Sequence, residues 1–159
     1  MSSPSQPATV PARGRRFGRA TAWAQRLVTG GHTLLYRLSA GRIGGRLGNA
    51  PVLLLFTLGR KSGRLRITPL CYVRAGERIA LIGSNGGTTG DPGWVHNLRA
   101  RPRALVQIGA QLHTVRARVA EGPEREHFWQ QAVALYAGYA AYQRRTDRRI
   151  PVIVLEPET

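Results

Sequence analysis

Acidic residues are scarce in this chain and unevenly placed. The first of only 8 is Glu77, and 13 basic residues precede it. Residues 1–76 therefore carry a formal charge of +13. Residues 77–159 carry +3 (11 basic minus 8 acidic), and the two sum to the chain's +16. Such a balance disfavours cationic partners and suits nucleic acid, anionic lipid or an anionic small molecule. Lysine is nearly absent: Lys61 stands alone among 24 basic residues. Cys71 is the single cysteine, so no internal disulfide can form, which fits a reducing, cytoplasmic setting. No apolar run approaches the ~18 residues of a membrane span. Arg15-Arg16-Phe17 has a twin-arginine look, but Arg19, Gln25, Arg26 and Gly30-Gly31 interrupt the apolar region a secretory signal needs. Histidines and carboxylates do not fall at metal-ligand spacing, so no metal site is expected.

What remains is 159 residues with 42% hydrophobic content, enough for one domain with a real core. Three segments are expected. Residues 1–18 read as a disordered basic tail, residues 19–49 as a helical arm and linker, and residues 50–159 as the folded domain. On a helical wheel Trp23, Leu27, Leu34 and Leu38 share a face bordered by Arg19, Arg26 and Arg37. That face suits either an anionic membrane surface, with the protein peripheral on its inner side, or ordinary packing onto the domain. Nucleic acid is a weaker partner for residues 13–46, since no known reader motif is present.

From Pro51 the pattern turns to β. Strands are expected at 51–57, 66–74, 78–83, 104–108, 111–119 and 150–155, with helices over 94–99 and 123–145. Pro69 implies an edge or a bulge in the second strand. In the fifth, His113 falls on the apolar side with Val115, Ala117 and Val119, as a structural histidine. His96 reads as a surface residue. Asp91-Pro92 reads as a helix cap followed by a first-turn proline. Gly138 hints at a break in the long helix. The order βββ-α-ββ-α-β suggests an α+β, mainly β fold: a small closed antiparallel barrel with flanking helices. It is not a dinucleotide-binding fold, because no βαβ unit surrounds the glycines.

Two stretches carry the chemistry. Between the first two strands lie Arg60, Lys61, Ser62, Gly63, Arg64 and Arg66. Four cations in seven positions repel one another, and a plain hairpin does not need them. Either they form a solvated basic turn, or they meet an anion through charge-assisted hydrogen bonds and close backbone approach. The second stretch is the loop Ser84-Asn85-Gly86-Gly87, running into a helix with Trp94 and Asn97 on one face. Those two read as a ligand wall or, for Trp94, as core. Downstream, Tyr136, Tyr139 and Tyr142 recur at spacing three. Aromatic stripes are usually core, but a buried phenol needs a hydrogen-bond partner and is a potential proton donor.

Taken in order, the motifs form a set: Thr57-x-Gly-Arg-Lys-Ser-Gly63-x-x-Arg66, Pro69-Leu70, Ser84-x-Gly-Gly87, Trp94-x-x-Asn97-Leu98, Pro102, Tyr136-x-x-Tyr-x-x-Tyr142 and Thr146-Asp147-Arg148-x-Ile-Pro151-Val. This set closely resembles the deazaflavin-dependent nitroreductase family of split β-barrel oxidoreductases, over residues 50–157. The resemblance implies a six-stranded, FMN-binding-like split barrel that takes coenzyme F420, a deazaflavin with a phosphate and an oligoglutamate tail. It implies tail and phosphate contacts at Arg60, Lys61, Ser62, Gly63 and Arg66, with Pro69 nearby. Ser84, Asn85, Gly86, Gly87, Trp94 and Asn97 would lie beside the ring. Tyr136, Tyr139 and Tyr142 match the family's substrate-side, catalytic tyrosines. Asn85 departs from the lysine of close relatives, and Gly93 stands where a larger apolar residue can be. The implied reaction is hydride transfer from reduced F420 to a small-molecule acceptor: a quinone, a nitroaromatic or an activated enone. The competing readings are an FMN- or haem-binding split barrel, and a basic membrane- or nucleic-acid-binding module without catalysis.

Overall fold

The structure, a computed structural model, describes Tyr36, residues 41–42 and residues 45–158. The expected disordered tail lies outside the described residues, as does the expected arm and linker except for Tyr36, Gly41, Arg42 and residues 45–49, where the expected linker instead supplies the short strand at 46–47.

Seven strands form one antiparallel sheet: β1 (Arg46–Leu47), β2 (Ala50–Leu58), β3 (Leu65–Ala75), β4 (Arg78–Ile82), β5 (Arg103–Ile108), β6 (Gln111–Val119) and β7 (Val152–Pro157). The order is β1-β2-β3-β4-β7-β6-β5, and β2 also pairs with β5. That second pairing closes β2–β7 into a six-stranded barrel, as expected. The helices are α1 (Gly93–Ala100), α2 (Gly122–Leu135) and α3 (Gly138–Arg144).

β2 is apolar on both faces because both are covered. Leu53 and Leu55 point into the barrel, where they meet Leu81, Val106, Ile153 and Leu155, with Trp94, Val95 and Leu98 of α1. Val52 and Leu54 point outward and are covered by the fully buried Tyr36, beside Phe56, Ile67 and Cys71. The Tyr36 hydroxyl donates to the Val52 carbonyl (3.0 Å) and accepts from the Gly109 N–H (2.9 Å). At this residue, then, the arm packs onto the domain. α2 covers the opposite outer wall, where Phe128 and Ala132 pack on Val73, Ala80, Val152 and Val154.

Several expectations change in detail. Pro69 lies in an unbroken register with β2 (Leu54↔Pro69), and β4 joins β3 only from Tyr72. It is therefore a one-sided position without a bulge, which a residue lacking an N–H tolerates. His113 is exposed, because it lies toward the open end of β6, before burial begins at Val115. His96 is half-buried rather than at the surface. β7 begins at Val152, not at 150: Pro151 cannot donate to the ladder, and Glu156 and Pro157 extend the pairing with β6. Asp91 does not cap α1; Pro92 occupies the cap position, and the Asp91 carboxylate is taken by Arg99 (2.6 Å) and Arg148 (2.7 Å). The long helix is two helices, broken at an extended Tyr136 (φ −147°, ψ 101°).

Acids cluster on one wall. Glu124 accepts from Arg118 (2.6 Å) and Arg78 (2.7 Å), and Arg118 also reaches Glu156 (2.8 Å). The Arg118 hydrogen bond, ahead of the charge of Arg118 and Arg78, holds the Glu124 carboxyl below its usual range, with partial burial opposing. A depressed carboxyl stabilises the fold above its unfolded pKa and loses that contribution as pH falls through the folded one. Glu124→Gln should therefore cost about 1 kcal/mol at neutral pH. The difference from wild type should vanish in strong acid. Urea melts at the two pH values check this.

Candidate active site

The cationic stretch forms the loop between β2 and β3, and its shape follows from two glycines. Gly63 adopts φ 66°, and its N–H donates to the Gly59 carbonyl (2.7 Å), while the Gly59 N–H donates to the Arg64 carbonyl (2.8 Å). A Cβ on Gly59 would come within 2.6 Å of the Ser62 hydroxyl. Arg60, Lys61, Ser62, Gly63, Arg64 and Arg66 are all exposed. Among the described residues none of the four cations pairs with a carboxylate, although seven arginines elsewhere do. Arg66 pairs in register with Thr57, whose side chain is buried and inward-facing. Directly opposed residues share a face, so Arg66 rises from the inner face at the barrel rim.

Asn97 ties this loop to α1. Its Oδ1 accepts from the Arg60 N–H (3.0 Å), and its Nδ2 donates to the Thr57 hydroxyl (3.1 Å). The side chain is 9% exposed, so both of its ends serve the protein itself. Its neighbour Trp94, one turn earlier, is 6% exposed within the barrel core. The helix face expected to be a ligand wall thus holds the loop in place. Asn97→Ala should lower stability by ~1–3 kcal/mol, the cost of stranding the Thr57 hydroxyl and the Arg60 N–H. It should also loosen the loop, read as faster amide exchange at Arg60 with the strands unaffected.

The second loop turns left-handed at three consecutive residues: Asn85 (φ 46°), Gly86 (φ 63°) and Gly87 (φ 74°). Asparagine tolerates this region better than most residues, and the Asn85 side chain braces the turn by donating to the Gly90 carbonyl (3.0 Å). Gly87 is buried. A Cβ there would stand 2.7 Å from the Tyr142 carbonyl oxygen, so the loop lies directly on α3. Ser84 and Gly86 are half-buried, as is Pro69 on β3. A Cβ on Gly93 would meet nothing within 4 Å, so space is open there.

The helix break gathers the tyrosines. The Tyr136 and Tyr142 hydroxyls are 3.1 Å apart. Ring centroids lie 5.3 Å (Tyr136–Tyr139), 6.1 Å (Tyr136–Tyr142) and 6.3 Å (Tyr139–Tyr142) apart. Tyr136 is 47% exposed, while Tyr139 and Tyr142 are half-buried against the outer wall. The hydrogen bond with Tyr136, then burial, raises the Tyr142 phenol above its ordinary pKa. Burial raises Tyr139 further. Both stay neutral at physiological pH. The Tyr136 ring folds back over Gly138, where any side chain would collide with it. Neither Gly138 as the seat of that ring nor Tyr36 as the anchor of the arm was apparent from sequence spacing. Among the described residues no cluster of His, Cys, Asp or Glu could hold a metal.

The arrangement suits a polyanionic, flat redox cofactor on three counts. Three unpaired cations stand on an anchored loop, and a fourth, Arg66, stands beside them at the start of β3. A glycine loop brings backbone close to the surface. A half-exposed phenol, Tyr136, is hydrogen-bonded to Tyr142, whose backbone lies against Gly87 of that loop. Comparison with known proteins points the same way. The family model described as F420H(2)-dependent quinone reductase matches residues 29–157. An F420H(2)-dependent quinone reductase of Mycobacterium tuberculosis (strain ATCC 25618 / H37Rv) is 40% identical over 128 residues, which cover 78% of this chain and 86% of that protein. The solved structure of an F420-H2 dependent reductase is 43% identical with a TM-score of 0.62, covering 67% of this chain and 94% of that one. A solved chain described as a domain-swapped dimer is 36% identical with a TM-score of 0.65, covering 86% and 99%. With the model spanning most of the domain and the relatives above well aligned, the chain belongs to the F420H(2)-dependent quinone reductase family.

Proposed function

We propose that this protein reduces quinones, using reduced coenzyme F420 as the electron donor. The observation that carries the reading is the cluster of four unpaired cations, three on the β2–β3 loop and Arg66 at the start of β3, held at the barrel rim by Asn97. An isolated basic turn gains nothing from its own repulsion, whereas a phosphate and several glutamates would satisfy every one of those charges. Arg60, Lys61, Arg64 and Arg66 would hold the tail, and Ser62, Gly63 and Pro69 would frame it. The loop Ser84–Gly87 would border the ring, with Trp94 behind it as part of the wall's core. When bound, the cofactor supplies a hydride.

The chain's own part is orientation, partial exclusion of water and stabilisation of charge. A quinone that accepts hydride gains negative charge on a carbonyl oxygen and then takes a proton to become a hydroquinone. The Tyr136 hydroxyl is exposed enough to donate a hydrogen bond to that oxygen. The neutral Tyr142 hydroxyl, 3.1 Å away, steadies it. Tyr139 packs edge-on against Tyr136 at 87° and limits its rotation. Solvent restores the proton at the open side. The open space at Gly93 favours a broader acceptor than a larger residue there would admit. The amphipathic arm would bring the site to a membrane where such acceptors dissolve. The test is oxidation of reduced F420 by a water-soluble quinone, followed by the return of deazaflavin absorbance. Protein-dependent turnover supports the reading; turnover at the uncatalysed rate removes it.

A further inference from the structure

Arg148 belongs to no part of the reaction described above, yet it makes more directed contacts than any other side chain around the site. Its Nε donates to the Thr88 carbonyl (2.9 Å), and its Nη1 donates to the Asp91 carboxylate (2.7 Å). Its Nη2 donates to the carbonyls of Ser84 (2.7 Å) and Gly83 (3.2 Å). The side chain is 15% exposed. Its own backbone is fixed from α3, since Gln143 donates to the Arg148 carbonyl (2.8 Å) and accepts from the Ile150 N–H (2.9 Å). One planar fork thus gathers both limbs of the glycine loop and connects them to the helix bearing Tyr139 and Tyr142.

The consequence lies in peptide geometry. In a trans peptide the C=O and the following N–H point in opposite directions. No cis peptide occurs among the described residues. With the Gly83 and Ser84 carbonyls drawn onto Arg148, the N–H groups of Ser84 and Asn85 face away from it. Among the described residues neither N–H has an acceptor, nor has that of Gly86, whereas the two donors after it are used: Gly87 donates to Ser84 (2.9 Å) and Thr88 to Asn85 (3.3 Å). We propose that Arg148 is a positioning residue that turns the loop carbonyls inward and so aims the Ser84 and Asn85 N–H groups outward, as paired donors for the polar edge of the deazaflavin ring. The inference rests on the cofactor reading above. It assigns Arg148 to the ring end of the ligand, not to the tail. A lysine cannot reproduce the fork, because an ammonium presents a point charge in place of a planar set of donors.

Fluorescence titration separates the two ends. The probes are intact F420 and its tailless fragment, the deazaflavin with its ribityl chain but without phosphate or glutamates. Arg148→Lys should weaken both by the same factor, about tenfold for the loss of aligned donors, at low and high salt alike. Its apo amide shifts should move at residues 83–91 and not in the β2–β3 loop. Lys61→Ala should weaken intact F420 alone. Arg148→Lys binding both probes as wild type does, or losing affinity for intact F420 only, overturns the proposal. So does a lowered melting temperature with fragment affinity unchanged in the cold. Should Arg148→Lys fail to fold, Asp91→Asn serves instead. It removes the charge that braces the guanidinium and should weaken both probes about threefold; equal affinity for the fragment overturns the proposal. Wild-type protein that binds neither probe refutes the cofactor reading itself, and this inference with it.

Discussion

Lys61→Ala and Arg66→Ala should each weaken F420 binding by ~1.5–3 kcal/mol, roughly ten- to more than a hundredfold, as expected for a charged hydrogen bond lost. The effect is large because neither side chain has a competing partner. Both are exposed, and among the described residues neither pairs with an acid, so their whole capacity is free for a ligand. Arg66 is better fixed, because its strand partner Thr57 is locked to Asn97. Its loss should therefore cost at least as much as that of Lys61. Stability should hardly change, since removing a cation from a like-charged loop relieves repulsion. Salt supplies the second signature. Wild-type affinity should fall steeply as ionic strength rises, because exposed charges are screened beyond ~10 Å at 0.1 M, and the variants should show a shallower slope. Titrations at two salt concentrations, with melting curves as controls, measure both. Equal affinities for wild type and both variants would take the tail site away from this loop.

Tyr136→Phe should lower turnover by roughly a hundredfold, near the small end for a positioned proton donor, with F420 affinity unchanged. The small end is expected because the Tyr142 hydroxyl lies 3.1 Å away and stands in part for the missing group. Gly138→Ala makes a sharper companion. Any Cβ at Gly138 collides with the Tyr136 ring. The ring is half-exposed, so it can be displaced toward solvent at the cost of its contacts with Tyr139 and Tyr142 and without opening the core, and the fold survives. Alanine also favours a helix over glycine, by at most ~1 kcal/mol at this first helical position. Turnover should therefore fall as it does in Tyr136→Phe, while the melting temperature holds or rises. The double variant should be no slower than either single one, since both remove the same hydroxyl from the same place. A Gly138→Ala enzyme with full turnover would place the reacting group elsewhere.

The parts of this site differ in how far the sequence reveals them. The barrel was legible because its strands are bounded by strong punctuation: Gly76-Glu77 makes a two-residue hairpin, and the alternation of Val115 and Ala117 with arginines marks an inner face. The cationic loop was legible as a local excess of charge. What escaped depends on contacts distant in sequence. Asn97 looks like a ligand residue from its helical spacing, because the partners that occupy it, Thr57 and the Arg60 N–H, lie 40 and 37 residues away. Asp91 looks like a helix cap until Arg148, 57 residues downstream, competes for its carboxylate. Arg148 sits within a recognisable motif, yet no periodicity says that its guanidinium closes on the carbonyls of residues 83, 84 and 88. The helix break at Tyr136 was foreshadowed by Gly138, but that the ring lies on the glycine is a fact of the fold alone.

On this reading the anchored cationic loop holds a polyanionic deazaflavin. An equilibrium titration of the wild-type chain with F420, run in parallel with FMN and haem in low-salt buffer, tests it most directly. Micromolar or tighter binding of F420 is expected, weakened by salt and by loss of Lys61, with no comparable affinity for the other two. Binding of FMN or haem in preference, or indifference to F420 under those conditions, would contradict it.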